Sequence, residues 1–263
     1  MSQYWPFAGL VRHRTLQERL IVSLDRATRR DALKMVEHLG RNVGMFKVGR
    51  RLYLGSGPDL VRDIRRRGAE VFLDLKFHDT PRAVCKAAVE ATRLGVRMFD
   101  LYSSNSFEVM ERARTEVARI CRSEGLRRPI VLAVAMLTSL RPGEPNIPDG
   151  DEIAARLARL AAEAALDGVL VLPQAAAHVR ALCGRRFVIV APGLRLENDR
   201  GPDIHAMSLR ESVRAGVDYL VVGRPVWNAA EPLQAVREII EEMERGMRAS
   251  PRGALELLAP RPA

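Results

Sequence analysis

Residues 71–101 read VFLDLKFHDTPRAVCKAAVEATRLGVRMFDL, and this stretch contains one complete strand–helix–strand unit. The runs at 71–75 and 96–101 are short and apolar, which is typical of strands covered on both faces. Between them, residues 81–94 have the length and apolar spacing of a helix, and Gly95 stands where helices commonly stop. The stretch therefore predicts two parallel strands joined by a helix.

The same alternation continues along most of the chain. Strand-like runs occur at 20–24, 45–48, 71–75, 96–101, 130–137, 168–172, 187–190 and 219–222. Helix-like stretches occur at 28–40, 58–67, 81–94, 106–124, 151–166, 174–183, 208–215 and 231–247. Eight such units in 263 residues predict an α/β fold, a single-domain (β/α)8 TIM barrel, whose usual size is about 250 residues. A doubly wound open sheet is the alternative, because strand number does not show closure.

The predicted barrel spans residues 18–248, between an N-terminal tail, 1–17, and a Pro- and Arg-rich C-terminal tail, 249–263. The chain is 47% hydrophobic and 28% charged, which is ordinary for a soluble globular protein. Its longest apolar run, 130–137, is far shorter than the about 20 residues of a membrane span. We expect no secretory signal, and three scattered cysteines without a CxxC pair favour a reducing cytoplasm.

The net charge is +10, from 42 Lys and Arg against 32 Asp and Glu. A basic surface can bind nucleic acid, so a non-enzymatic nucleic-acid-binding barrel is one hypothesis. The arginines are spread along the chain, however, and the aromatic residues, 5% of the total, do not alternate with them as a stacking platform requires. We therefore expect neither a nucleic-acid partner nor a membrane partner.

Charged residues recur at the predicted C-terminal strand ends, where barrel enzymes have their active sites. Asp25 and Lys47 mark the ends of the first two strands, and Asp74 and Lys76 lie in the third. Because Asp74 and Lys76 are two positions apart, a regular strand points both into the barrel. Such a row of alternating charges pairs each lysine with carboxylates, which offsets the cost of burial and favours the ammonium form. We interpret the row as catalytic, with Asp79 three residues further on.

Polar residues, glycines and one proline also mark the ends of strands five, seven and eight. These are Thr138, Ser139, Pro192, Gly193, Arg195, Gly223 and Arg224. Amides freed by glycine, together with arginine, suit a phosphate dianion, which barrels often bind after strands seven and eight. The histidines show no metal-ligand spacing, so no metal is predicted, and His78 is interpreted as structural.

Five segments resemble the orotidine 5'-phosphate decarboxylase family, within a likeness that runs from about residue 20 to 240. They are LD at 24–25, FKVG at 46–49, FLDLKFHDTP at 72–81, APGLR at 191–195 and AGVDYLVVGRP at 215–225. The resemblance implies a (β/α)8 barrel that forms a homodimer with active sites at the interface. It also implies conversion of orotidine 5'-phosphate to UMP and CO2, the last step of de novo UMP biosynthesis, without cofactor or metal.

The resemblance further implies roles for individual residues. Lys47, Asp74, Lys76 and Asp79 match the family's catalytic array, in which Lys76 protonates C6 of the pyrimidine and Asp79 reaches into the partner's site. The matching substrate-binding residues are Asp25 and Lys47 for the ribose, Thr138 or Ser139 for the pyrimidine edge, Pro192 for the pocket wall, and Arg195, Gly223 and Arg224 for the phosphate.

The chain departs from the family pattern at three places. Ala83 replaces a threonine, Asp203 or Ile204 replaces a phosphate-loop glutamine, and strand four ends in DLY at 100–102 where the family tends to carry a Val-His pair. The first two changes bear on substrate affinity. The related alternative is a sugar-phosphate decarboxylase or aldolase of the same superfamily, which needs Mg²⁺ and has an acidic residue in place of Lys47. Lys47 therefore favours the metal-free enzymes.

Overall fold

The structure is a computed structural model that describes residues 15–25, 28–135, 150–192 and 207–248. Eight parallel strands form a closed barrel, in which each strand pairs with the next and β8 pairs with β1. They are β1 Leu20–Ser23, β2 Met45–Gly49, β3 Val71–Phe77, β4 Met98–Tyr102, β5 Ile130–Val134, β6 Gly168–Leu170, β7 Val188–Pro192 and β8 Tyr219–Val222. The closed sheet confirms the predicted TIM barrel and excludes the doubly wound alternative.

Helices surround the barrel in the described part of the chain. They are α1 Arg29–Leu39, α2 Arg50–Ser56, α3 Pro58–Arg66, α4 Pro81–Arg93, α5 Phe107–Glu124, α6 Gly150–Glu163, α7 Ala176–Cys183, α8 Leu209–Arg214, α9 Arg224–Trp227 and α10 Pro232–Arg248. The sequence did not predict α2 and α9, because both are too short for helical periodicity to be read. No helix within the described ranges is both long and apolar enough to span a membrane.

Some predicted boundaries were wrong by a few residues. The fourth strand begins at Met98, not at 96, and the sixth ends at Leu170, not at 172, because Val96 and Val171, which lie just outside these strands, are also apolar and buried. Residues 1–14 and 249–263, which make up most of the two predicted tails, lie outside the described residues, as do the last two positions of the predicted run 130–137.

Apolar side chains fill the interior of the barrel and determine where its charged layer lies. The interior cluster includes Met45 of β2, Phe72 of β3 and Met98 of β4. Because side chains of a strand alternate between faces, the next interior position on each strand is two residues further on. Those positions hold Lys47, Asp74 and Asp100, which are all buried. The apolar core therefore supports a layer of charges toward the C-terminal end of the barrel.

Strand β3 is irregular within this layer. It pairs with β4 at Leu73 and again at Phe77, but between these points residues 74–76 stand opposite Asp100 alone. Lys76 has a φ of 54°, a left-handed conformation that costs a non-glycine residue about 1–3 kcal/mol. The sequence predicted that two-residue alternation along a regular strand orients Lys76. That prediction was wrong about the backbone, because a β-bulge orients Lys76 instead.

Candidate active site

Lys47 lies at the centre of the charged layer. Its side chain is only 9% exposed, and its ammonium contacts Asp25 and lies 2.9 Å from Oδ2 of Asp74. Burial by itself lowers the pKa of Lys47, but the negative charges of Asp74 and Asp25 outweigh burial, so the pKa is raised. Lys47 is therefore an ammonium group held between two carboxylates.

Asp74 joins Lys47 to Lys76. One oxygen of Asp74 faces Lys47, and the other accepts a hydrogen bond from Nζ of Lys76. Burial raises the pKa of Asp74, but the two ammonium charges outweigh it and lower the pKa to about 2. The Lys76 side chain is 18% exposed, so it lies at the open edge of the cluster and not in bulk solvent. The structure thus brings together all four residues of the predicted row.

Glycine at position 49 allows Asp25 to reach this cluster. The Gly49 amide donates a hydrogen bond of 2.6 Å to Oδ1 of Asp25, and the Ser23 hydroxyl donates one of 2.9 Å to Oδ2. A Cβ at position 49 would lie 2.2 Å from Oδ1 of Asp25, so any larger residue would displace the carboxylate. The sequence interpretation assigned Gly49 no role, although the glycine of the FKVG segment was visible.

Asp100 is a second residue to which the sequence interpretation assigned no role; it was noted only as part of a departure from the family pattern. It is completely buried, and its Oδ1 accepts a hydrogen bond of 2.8 Å from the backbone N–H of Lys76. Its Oδ2 lies 3.9 Å from Nζ of Lys76. The available signal was an aspartate at an interior position of the apolar run MFDLY.

A cavity of about 280 Å³ opens beside the cluster. Asp25 and Lys47 form one part of its wall. Pro192 at the end of β7, and Gly223 and Arg224 after β8, form another part. Residues from opposite ends of the sequence therefore line one cavity at the C-terminal end of the barrel. Its wall combines an ammonium, a carboxylate and a guanidinium, which suits a polar, anionic small molecule.

Other predicted residues lie elsewhere. Asp79 is exposed, and within the described residues its carboxylate accepts a hydrogen bond of 2.6 Å from the Thr80 amide without joining the four charges of its own chain. His78 is exposed and contacts Tyr102 edge-on, with ring centroids 5.7 Å apart. The remaining predicted positions, Thr138, Ser139, Gly193, Arg195, Asp203 and Ile204, lie outside the described residues.

Comparison with known proteins identifies the family. Residues 18–239 match the family described as "Orotidine 5'-phosphate decarboxylase / HUMPS family". The chain belongs to this family. One curated relative is the orotidine 5'-phosphate decarboxylase of Syntrophotalea carbinolica. It is 42% identical over 233 residues, which cover 86% of this chain and 95% of the relative. That of Geobacter sulfurreducens is 42% identical over 239 residues, covering 88% and 98%.

Solved structures agree with this assignment to the orotidine 5'-phosphate decarboxylase / HUMPS family. The crystal structure of orotidine 5'-phosphate decarboxylase from Lactobacillus acidophilus covers 85% of this chain and 98% of its own, with a TM-score of 0.73 and 28% identity. The likeness covers most of the chain, so the barrel fold is shared with that enzyme.

The centre of the site is a cation from the protein itself. Within the described ranges, no group of three or more His, Cys, Asp or Glu side chains is arranged to hold a metal ion. The ammonium of Lys47 lies between Asp25 and Asp74, the two carboxylates that would otherwise face each other there. Lys76, which contacts Asp74, supplies the second positive charge, so two ammonium groups balance the two carboxylates.

Proposed function

We propose that the chain decarboxylates orotidine 5'-phosphate to UMP and CO2, the last step of de novo UMP biosynthesis. The observation that carries the proposal is the row of alternating charges, Asp25, Lys47, Asp74 and Lys76, beside a cavity that Arg224 also lines. The two central members of the row, Lys47 and Asp74, are buried. Membership of the family, and relatives at 42% identity that are named orotidine 5'-phosphate decarboxylase, support this substrate.

Lys76 is the proposed catalytic acid. When the bond between C6 and the carboxylate breaks, CO2 leaves and the electron pair stays on C6 as a carbanion with little delocalisation. An ammonium fixed beside C6 stabilises the developing charge and then transfers one N–H proton to carbon. Lys76 suits this role because Asp74 holds its ammonium at the open edge of the cluster. The neutral amine regains its proton from water after product release.

The neighbouring charges position Lys76 and the substrate. Asp74, whose pKa is lowered to about 2, stays ionised at neutral pH and holds both lysines. Lys47 and Asp25 line the cavity and are proposed to contact the ribose hydroxyls. Phosphate contacts are assigned to Gly223, Arg224 and Arg195, and the pyrimidine contacts to Pro192 and to Thr138 or Ser139. Binding energy from the phosphate end, far from C6, can be used to align the reacting carbon.

The active form is proposed to be a homodimer in which Asp79 of one subunit completes the site of the other. Asp79 lies exposed just before α4, only three residues after Lys76. Within the described residues, the carboxylate of Asp79 accepts a hydrogen bond from the Thr80 amide and does not contact the four charges of its own chain. A symmetric dimer would use this exposed loop twice, once in each site.

The direct test is an ultraviolet assay with the purified wild-type chain. Decarboxylation changes the absorbance of the pyrimidine, so consumption of orotidine 5'-phosphate is followed without a coupling enzyme. We expect turnover in the presence of EDTA at a rate that added Mg²⁺ leaves unchanged, because Lys47 supplies the central cation. No turnover would contradict the proposal. Turnover of a hexulose 6-phosphate only after Mg²⁺ addition would instead favour the sugar-phosphate enzymes of the superfamily.

A further inference from the structure

Asp100 is a buried carboxyl group that the mechanism above does not use. Its side chain is 0% exposed and points into the barrel one layer above Met98. Its paired position on β5 is the apolar Leu132. The charged groups that face Asp100 are therefore Asp74 and Lys76 of β3, with Lys47 of β2 beyond Asp74.

One oxygen of Asp100 replaces a missing strand contact. In the bulge of β3, residues 74–76 have only Asp100 opposite them, so the regular ladder of backbone hydrogen bonds is interrupted. The backbone N–H of Lys76 donates to Oδ1 of Asp100 at 2.8 Å instead. This contact stabilises Lys76 at its φ of 54°, a conformation that is uncommon for a non-glycine residue. The direction of the Lys76 side chain therefore depends on Asp100.

The other oxygen of Asp100 faces a second carboxyl group. Oδ2 is buried and finds no hydrogen-bond donor within the part of the chain that the structure describes. Nζ of Lys76 is 3.9 Å away, which is too far for a hydrogen bond. Asp74 approaches the same ammonium group, because its Oδ1 accepts a hydrogen bond from Nζ of Lys76, so the carboxyl groups of Asp74 and Asp100 lie around one shared cation. Two carboxylate charges this close in a buried site repel each other, and a proton on one of the two groups removes that repulsion.

The surroundings place that proton on Asp100. Asp74 faces two ammonium groups, Lys47 and Lys76, which keep it ionised. Asp100 has no ammonium within hydrogen-bond distance among the described residues. Burial, followed by the negative charge of Asp74, also raises the pKa of Asp100 well above its ordinary value.

We propose that Asp100 is a positioning residue that works as a neutral carboxylic acid. Its Oδ1 fixes the bulge at Lys76, and its Oδ2 hydroxyl donates a hydrogen bond to Asp74. Asp74 is thereby held by Asp100 from β4 and by Lys47 from β2. These two contacts restrict the ion pair between Asp74 and Lys76 to a single arrangement. The catalytic consequence rests on the proposed function, whereas the protonation state and the hydrogen bonds do not.

Two substitutions of similar size separate this role from simple space filling. Asp100→Asn keeps the acceptor for the Lys76 amide and turns an N–H donor toward Asp74, so we expect kcat within about tenfold of wild type, the equivalent of one hydrogen bond. Asp100→Leu removes both contacts. We expect kcat to fall about 100-fold, as for a misplaced catalytic group, while KM changes little because the cavity wall is intact. Wild-type kcat in Asp100→Leu, or equal losses in both variants, would overturn the proposal.

Infrared spectroscopy tests the proton itself and does not require turnover. We expect a carbonyl band of a buried protonated carboxyl group in the wild-type protein at pH 7, absent in Asp100→Asn and retained in the exposed control Asp59→Asn. A wild-type protein without this band would overturn the neutral assignment even if the enzyme is active. Conversely, a band in a protein that does not turn over orotidine 5'-phosphate would leave the assignment standing and reject the proposed function.

The pH dependence of stability provides an independent readout. Folded Asp100 keeps its proton, whereas the unfolded chain loses it above the ordinary pKa of 3.8, so the contribution of Asp100 to stability falls as pH rises from that value. Asparagine does not titrate. We expect Asp100→Asn to have a higher Tm than wild type at pH 7, with the difference disappearing near pH 4. A difference that does not depend on pH would contradict a neutral Asp100.

Discussion

Replacing Lys76 by alanine should reduce decarboxylation by at least about 10⁴-fold, because the variant loses both the charge that stabilises the carbanion and the proton donor. The barrel should remain folded. Asp74, the carboxylate that Lys76 contacts, keeps its ion pair with Lys47 at 2.9 Å, so the substitution leaves no unpaired buried charge. The measurement is kcat/KM from the ultraviolet assay, with circular dichroism and Tm recorded on the same preparations.

A matched lysine controls for the loss of positive charge. Lys34 is exposed on α1, away from the strand ends, so Lys34→Ala should keep wild-type kcat/KM. If Lys76→Ala retained more than about one hundredth of wild-type activity, the variant would be too active for an enzyme without its general acid. That result would refute the role assigned to Lys76.

Mixing two inactive variants should restore activity. Lys76→Ala and Asp79→Ala chains, once they exchange subunits, form mixed dimers with one site that holds both Lys76 and Asp79 and one site that lacks both. Random exchange of equal amounts gives half mixed dimers, so the mixture should recover about one quarter of the wild-type sites. Each variant alone should stay inactive, and the recovered activity should rise with the time allowed for exchange.

A second mixture shows whether recovery reflects a shared site. Lys76 and Asp74 are in contact within one chain, so mixed dimers of Lys76→Ala and Asp74→Ala contain no complete site. This mixture should remain inactive under the same conditions. If subunit exchange is demonstrated, for example with differently tagged chains, and the first mixture still shows no recovery, then Asp79 does not act across an interface.

Local patterns were sufficient to predict the barrel and most of the charged layer. Strand and helix periodicities differ clearly, and the two-residue alternation places Lys47 and Asp74 directly above the apolar residues Met45 and Phe72. The short helix α2 was missed because it continues directly from β2 and has only seven residues. Local sequence contains the apolar spacing of an element, but a helix of two turns provides too few positions to reveal it.

The missed site residues depend on contacts between strands. Asp100 acquires its contact with Lys76 from the bulged register between β3 and β4, and no spacing within either strand indicates that register. Gly49 matters because the carboxylate of Asp25, two residues beyond the end of β1, approaches it. Thr138, Ser139 and Arg195 remain predictions from the resemblance. Pairwise geometry across the sheet therefore determines the details of the site that sequence alone leaves open.

A crystal structure of the chain with UMP bound tests the central claim most directly. Nζ of Lys76 should lie about 3–3.5 Å from C6 of the pyrimidine, the distance at which a proton can pass to carbon, and it should still contact Asp74. The phosphate should lie beside Arg224 in the cavity. A complex in which the Lys76 ammonium points into solvent, or in which another residue faces C6, would contradict the account.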